Sequence, residues 1–316
     1  MATSEHTHFV VISRLDRLDI YNAQSGQKSA EVKAPRNVAR FTGVAAAETG
    51  IYFASCQSAK GESLIARMHV SVQGAPSDLT VIDASGGDSI GTITGNTISA
   101  SPGASQIIFV TSSGHIAAAA TPATYGRFIT AGGVLESATS EWPGQISSLS
   151  WSGDGDKLAF MWRSGAHNRA AHTVRESVSA PDFGVRTCLA DAADLPAASD
   201  SVAPTETQFG DLSCPVLSSS GMSVYAIAKT NSGEASGLRP RVRLLRFPLS
   251  AGKVQVVADD IEVASTGEFV RLCRDTDDSA LMLFERRRVS RLELASGIHT
   301  ELVGTESEMI IASAAW

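Results

Sequence analysis

Between Ile146 and Trp162 the chain writes one unit clearly. Ile146, Leu149 and Trp151 mark a short apolar strand, Ser152-Gly153-Asp154-Gly155 interrupts it, and Leu158, Phe160 and Trp162 then alternate with Ala159 and Met161. Apolar residues at a period of two predict strands, and a Gly/Asp cluster between two such runs predicts the turn of a hairpin. Asp and Gly suit that turn because both tolerate positive φ, and the Asp side chain can bond the neighbouring backbone.

The same syntax recurs in worn form. Phe41 to Ala54 leads to Leu64–Val72 and Leu79–Asp83, and Ile98 to Val110 leads to His115–Ala120. Pro215 to Ala228 precedes Val242–Phe247 and Val254–Ala258, and Phe269 to Phe284 precedes Val289–Leu294 and His299–Val303. Units starting near residues 41, 98, 146, 213 and 269 are spaced more widely than the roughly 40 to 45 residues of a regular WD40 array, so insertions fill the excess. The first segment, Phe9–Ser13, Leu18–Gly26 and Lys28–Lys33, reads as a meander without an innermost strand, and the last, Met309–Trp316, as a strand without a partner. Each end supplies what the other lacks. The expected fold is an all-β propeller: five internal units plus one shared by the termini give six blades, and seven is the alternative if 164–209 conceals another. Radial repetition of this kind keeps sheet edges short and protected. Residues 1–316 are expected to form a single domain, with 1–8 a flexible N-terminus and 164–209 an irregular insertion.

Composition narrows the function classes. The chain has 316 residues, 43% hydrophobic and 19% charged, enough to bury a large core. A net charge of -7 provides no general basic field, which disfavours nucleic-acid binding. No apolar run reaches the 18 residues of a helical membrane span, and the N-terminus lacks the charged and apolar regions of a secretory signal. Cys56, Cys188, Cys214 and Cys273 form no C-x-x-C pair, so they read as buried thiols; in an extracytoplasmic setting, Cys188 with Cys214 is the pair to test.

The turns Ser-Pro-Gly, Ser-Gly-Asp-Gly and Ser-Ser-Ser-Gly, each between an apolar pair and an aliphatic strand, resemble the WD40-like repeats of TolB-type propellers. More narrowly, Asp19-Ile-Tyr-Asn-Ala-Gln-Ser-Gly-Gln, Arg40-Phe-Thr-Gly-Val, Gly74-Ala-Pro-Ser-Asp-Leu-Thr, Trp142 before Ile146, and Val185-Arg-Thr-Cys-Leu resemble actinobacterial propeller proteins that often carry a membrane anchor and have no assigned activity. The resemblance spans nearly the whole chain and implies an extracytoplasmic propeller. The anchor is absent from this sequence, which leaves cytoplasmic placement as the alternative.

Candidate chemistry is sparse. His167 and His172 lie five apart in a loop-like stretch that does not force a common face, so no metal is expected there. Neither Ser150 nor Ser219 sits in a Gly-x-Ser-x-Gly elbow, and no catalytic residue or cofactor is expected. Inner strands offer Ser, Thr, Ala and Val, with Arg40, Glu268, Arg271 and Arg274 as charged exceptions. The binding candidates are Trp142, beside Pro143-Gly144 and expected to be partly exposed, and Arg286, Arg287 and Arg288, a turn able to bind a phosphate or carboxylate or else a solvated turn balanced by nearby acids. Trp151 and Trp162 read as packing between blades. The expected role is a non-catalytic scaffold that holds a protein, peptide or glycan on its rim; the alternative is a lactonase- or lyase-like enzyme with a metal or an acid/base group in the central channel.

Overall fold

A computed structural model describes residues 9–47, 50–82, 92–104, 106–112, 123–129, 136–142, 145–155, 157–163, 182–187, 212–229, 241–248, 253–263, 269–303, 311 and 313–316. These residues form strands and turns, and the all-β expectation holds among them. The first meander is β1 (Phe9–Ser13), β2 (Arg17–Asn22) and β3 (Lys28–Lys33). The second sheet is β4 (Val38–Ala47), β5 (Ile51–Ser58), β6 (Ser63–His69) and β7 (Thr80–Ile82). The third is β8 (Thr92–Ala100), β9 (Gln106–Ser112), β10 (Ala123–Ile129) and β11 (Glu136–Trp142). Three strands make the fourth: β12 (Gln145–Trp151), β13 (Lys157–Arg163) and β14 (Asp182–Thr187). The fifth is β15 (Leu212–Leu217), β16 (Ser223–Lys229), β17 (Arg241–Pro248) and β18 (Gln255–Glu262), and the sixth β19 (Phe269–Arg274), β20 (Ala280–Glu285), β21 (Val289–Glu293) and β22 (His299–Val303). The last strand, β23 (Ser313–Ala315), joins the first meander, pairing Val11 with Ala315 and Ser13 with Ser313.

Every sheet is antiparallel and runs in chain order from an inner to an outer strand, the first one starting with β23. The inner strands pack in sequence, β23 on β4, β4 on β8, β8 on β12, β12 on β15, β15 on β19, and β19 on β23. Burial follows the radius. The second-row strands β1 and β20 are buried along their whole length, whereas β3 at the outer edge alternates between exposed and half-buried and carries Lys28, Glu31 and Lys33. An apolar run stays dry only between two neighbouring sheets, and a charged outer strand discourages further edge pairing. The core is therefore a set of interfaces between sheets: Val11, Leu18, Phe41, Val44 and Tyr52 pack the first against the second, and Val10, Ile12, Met282, Phe284 and Ala314 the first against the sixth.

Inner strands are bulged. The ladder slips between Ser147 and Ser150 in β12, between Ser213 and Val216 in β15, and between Phe269 and Arg271 in β19. Ser148 and Cys214 take positive φ of 54° and 53° at two of these slips. A bulge removes a residue from the ladder and re-aims its neighbours, so these strands turn backbone carbonyls toward the common axis.

Candidate functional site

Among the described residues one side chain occupies the axis. Arg271 on β19 is 9% exposed, and its Nη1 donates to the carbonyls of Val44 on β4 at 2.6 Å and Ala314 on β23 at 3.4 Å. Its Nη2 donates to Ile98 on β8 at 3.1 Å and, longer, to Leu149 on β12 at 3.4 Å. Five inner strands, β19, β4, β23, β8 and β12, thus meet at one guanidinium. Arginine suits the position because its planar fork spreads donors over a wide arc, whereas an ammonium is a point charge on a flexible stem.

Above Arg271 opens a cup of about 500 Å³, on the side where the inner strands end. Its wall takes Ala47 from β4, Ala100 from β8, Trp151 from β12, Val216 from β15, Arg274 from β19 and Trp316 from just after β23. The loop after β6 adds Val72, which is 62% exposed. The lip is made by hairpin turns that follow the inner strands, and four of them share one construction. Each opens on a buried polar residue, Ser101, Ser152, Ser218 or Asp275, and each has positive φ three residues later, at Ala104, Gly155, Gly221 or Asp278. In the Ser218 turn the hydroxyl accepts the N–H groups of Met222 and Ser223 at 3.2 and 3.1 Å. In the Asp275 turn Oδ2 accepts from the Ser279 hydroxyl and, at 2.9 Å, from the N–H of Ala280. Asp275 thus does by carboxylate what Ser218 does by hydroxyl.

Turns also bond to one another around the lip. Gly153 N–H donates to Ser219 O at 2.8 Å, Ser219 N–H donates to both oxygens of Asp278 at 2.8 Å, and the Ser219 hydroxyl donates to Thr276 O at 2.8 Å. Across the cup the Tyr52 hydroxyl donates to Phe9 O at 2.6 Å. Glycine is required at 153 by contact, since a Cβ there would lie 2.8 Å from Ser219 O.

Electrostatics single out Asp275. Burial pushes its carboxyl up to about 6, and the adjacent Asp277 adds to the rise while the bonds from Ser279 and Ala280 oppose it. Asp277 is also the hydrogen-bonding neighbour of this carboxyl, and the indole N–H of Trp151 is buried without a hydrogen-bond partner among the described residues. Two guanidinium groups, those of Arg271 and Arg274, and this one carboxyl are the strongly charged groups of the cup wall, with His69 also lining it.

The residues expected to bind a partner lie elsewhere. The turn Arg286–Arg288 joins β20 to β21 at the opposite end of the sixth sheet, where Arg286 O accepts from Ile311 N–H at the start of the chain's return to β23. Arg286 and Arg287 are exposed there, but Arg288 is 7% exposed, ion-paired with buried Glu285 and bonded to Glu262 O at 2.8 Å. The triplet is not one solvated turn, and Asp275, Asp277 and Asp278 lie in the lip at the other end. Trp142 ends β11, the outer strand of the third sheet, paired with Ala123; its side chain lies outside the described residues. His167, His172 and Cys188, with the pairing proposed for it, also lie outside them. Cys56 and Cys273 are sequestered thiols, and burial pushes Cys56 up to about 12. Among the charged exceptions of the inner strands, Arg40 is exposed and bonds Gln57 at 2.7 Å, and Arg271 and Arg274 line the cup. No cluster of three or more potential metal ligands occurs among the described residues. No helix among them is long and apolar enough to cross a membrane.

No protein-family model matches the sequence, and no curated protein sequence matches it. Solved structures do resemble it. TolB from Acinetobacter baumannii superposes with a TM-score of 0.60 at 13% identity, covering 99% of this chain and 67% of that one. A putative TolB from Agrobacterium tumefaciens gives 0.57 at 14% identity over 95% of this chain and 93% of that one. The tricorn protease gives 0.53 at 14% identity over 95% of this chain but only 29% of the protease. At these identities the likeness concerns the fold alone, and the fold is that of a TolB-like β-propeller.

Proposed function

We propose that the chain is a six-bladed propeller, closed by β23 against β1, that serves as a non-catalytic platform for a protein, peptide or glycan partner. The contact surface is the lip and cup at the end of the inner strands. One observation carries the reading: Arg271 joins four neighbouring strands across the axis, so the channel has a floor and the cup is a blind, rigidly walled recess. Fixed turns around a concavity are how rigid scaffolds present recognition surfaces. Val72 and Met222, 62% and 51% exposed, place apolar side chains on that same end. An extracytoplasmic location accompanies this reading and rests on the resemblance to TolB-type propellers.

Asp275 favours a second reading, an acid/base site in the channel mouth, because a carboxyl near 6 in a recess is the usual setting of a catalytic acid. Its equivalence to Ser101, Ser152 and Ser218 argues instead for a turn cap. The platform reading is tested by placing a photo-crosslinking residue at Val72, at Met222 or, on the opposite end, at Leu15, which is 52% exposed between β1 and β2. Adducts from Val72 and Met222 but not Leu15 are expected. Equal adducts from Leu15, or none from any position, would overturn the assignment of this surface.

A further inference from the structure

We infer that the lip carries a proton-operated latch: the Asp275 turn holds its neighbouring lip turns in place while its buried carboxyl is neutral, and frees them as that carboxyl ionises. The device belongs to the lip itself and stands whether or not a partner docks there. Of the four described turns that share one construction, this one opens on a titratable group, whereas Ser101, Ser152 and Ser218 stay uncharged at any pH. It is also the turn that its neighbours lean on. Asp278 accepts the Ser219 N–H on both oxygens at 2.8 Å and Thr276 O accepts the Ser219 hydroxyl at 2.8 Å, so the sixth sheet's turn holds the fifth sheet's. Ser219 O then accepts the Gly153 N–H at 2.8 Å and passes the hold to the fourth. Asp278 keeps its place at a φ of 58°, a left-handed conformation that costs a non-glycine residue energy unless its surroundings hold it.

The geometry of the turn keeps the proton there. Asp275 is 6% exposed, and its carboxyl is ion-paired with no cation among the described residues. Its Oδ2 accepts from the Ser279 hydroxyl and, at 2.9 Å, from the Ala280 N–H, while Asp277 Oδ1 accepts the Ser279 N–H at 2.9 Å, so two carboxyls converge on one serine. They are hydrogen-bonding neighbours, and two carboxyls bond each other only while one keeps its proton. Their surroundings decide which. Asp277 is exposed and held below the ordinary carboxylate range, chiefly by the Ser279 N–H, whereas burial and Asp277 push Asp275 up to about 6. The other charged groups nearby are engaged elsewhere. Arg274 donates to the Asp275 backbone carbonyl at 2.7 Å, Arg246 of β17 bonds Ser223 at 3.0 Å and lies over the Tyr225 ring of β16, and Arg271 is bonded to carbonyls of the inner strands. Burial pushes the Tyr225 hydroxyl up, so it stays neutral, and His69 lines the cup from the end of β6. Once Asp275 ionises, it repels Asp277 and Asp278 and its buried charge is better served by water. Lifting the turn relieves both costs and gives up the bonds to Ser219.

Linkage gives the direction and the ceiling of the effect. A lifted turn returns Asp275 to its ordinary 3.8, so opening is constant below about pH 4, rises from there to about pH 6 and then levels off, by a factor of at most about a hundred. Native-state hydrogen exchange of the whole chain, read amide by amide by NMR from about pH 4 to about pH 7.5 and corrected for intrinsic rates, measures that opening. The Ser219 and Gly153 amides are expected to lose about tenfold in protection across the range, relative to the Phe41 amide, which bonds Leu15 O at the opposite end. In Asp275→Ser, which keeps a cap without the charge, the loss should vanish. In Asp277→Asn, a change at an exposed residue, it should shrink and level off at lower pH. Protection at Ser219 and Gly153 that follows Phe41 throughout would overturn the latch, as would the same loss persisting in Asp275→Ser or an unchanged profile in Asp277→Asn. If Asp275→Ser does not fold, the wild-type profile and Asp277→Asn still decide.

Discussion

Replacing Asp275 by serine installs at the fourth lip turn the residue type that opens the other three, and the outcome depends on pH in a way that can be worked out. The Asp275 carboxyl rises from its ordinary 3.8 to about 6 in the folded chain. Between those values the folded state holds a proton that the unfolded state has released, so wild-type stability falls as pH rises through the window. A rise of roughly two pH units is worth about 3 kcal/mol once pH is well above 6. The substitution removes that cost and keeps a hydroxyl to accept the Ala280 N–H, as Ser218 accepts Ser223 at 3.1 Å. It loses the bond from Ser279 and leaves a small void, together a loss of about 1 kcal/mol at any pH. Net, D275S should be more stable than wild type by about 1–2 kcal/mol at pH 8 and by nothing, or slightly less stable, at pH 4.5. Urea unfolding of both proteins across that range reads the difference, and subtraction removes the groups they share. A difference that stays constant within about 0.5 kcal/mol from pH 4.5 to 8 would refute the argument. Loss of partner or ligand binding in a folded D275S would instead assign the carboxyl to function and revive the acid/base reading.

Arg271→Met should lower stability by about 2–4 kcal/mol in denaturant melts: two short charge-assisted bonds, at 2.6 and 3.1 Å, are worth about 3–6 kcal/mol and relief of guanidinium burial returns part of it. No measurable change would mean that the four carbonyls are satisfied without it. Gly153→Ala should cost about 1–3 kcal/mol, because its Cβ would lie 2.8 Å from Ser219 O and the lip must spread to admit it; an unchanged midpoint would show the turns to be independent. Asp19 predicts the reverse pH dependence from Asp275. Burial alone would raise its carboxyl, but Lys28 at 2.8 Å, Arg14 at 3.2 Å and Arg17 at 3.1 Å outweigh burial and hold it below its ordinary value. The stability it contributes is complete above about pH 4 and fades as pH falls further. Asp19→Asn should therefore cost about 3–5 kcal/mol at pH 7, since it deprives buried Arg14 of its carboxylate, with the difference from wild type shrinking below pH 4 in acid-unfolding curves.

Much of the architecture was legible because it is local. Period-two alternation placed the hairpin of β12 and β13 within a residue or two of its observed bounds, and the strands at the two ends lie side by side, Val11 paired with Ala315. The turn glycines at 155 and 221 were legible for the same reason, as both carry the positive φ that the turn demands. The site was not. Arg271 stood out as a charge on an apolar strand, but its partners are carbonyls of Val44, Ile98, Leu149 and Ala314, which any side chain would supply. Which carbonyls turn inward is decided by bulges, and a bulge leaves only a weak mark on the sequence. Arg286–Arg288 shows what a string cannot separate: three adjacent cations look alike in it, whereas Glu285, beside the triplet in the chain, takes Arg288 indoors and leaves Arg286 and Arg287 exposed.

The repeat itself supplies the strongest argument about chemistry. Radial repetition builds the same turn several times, so a residue doing the common structural job has counterparts, and a residue doing something particular to this chain does not. Asp275 has counterparts in Ser101, Ser152 and Ser218, each buried at the same place in its turn, and its raised pKa follows from setting a carboxyl where the others have a hydroxyl. Arg271 has none. The corresponding stretches of β4, β8, β12 and β15 carry only uncharged residues on the run into the lip, Val44 to Ala47, Ile98 to Ala100, Leu149 to Trp151 and Cys214 to Leu217. Four near-equivalent strands face one guanidinium, and the asymmetry it introduces is a positive charge at the base of the cup, below Arg274 in its wall. Recognition that depends on this chain rather than on its fold should therefore depend on Arg271, and variants of the lip serines should alter stability well before they alter binding.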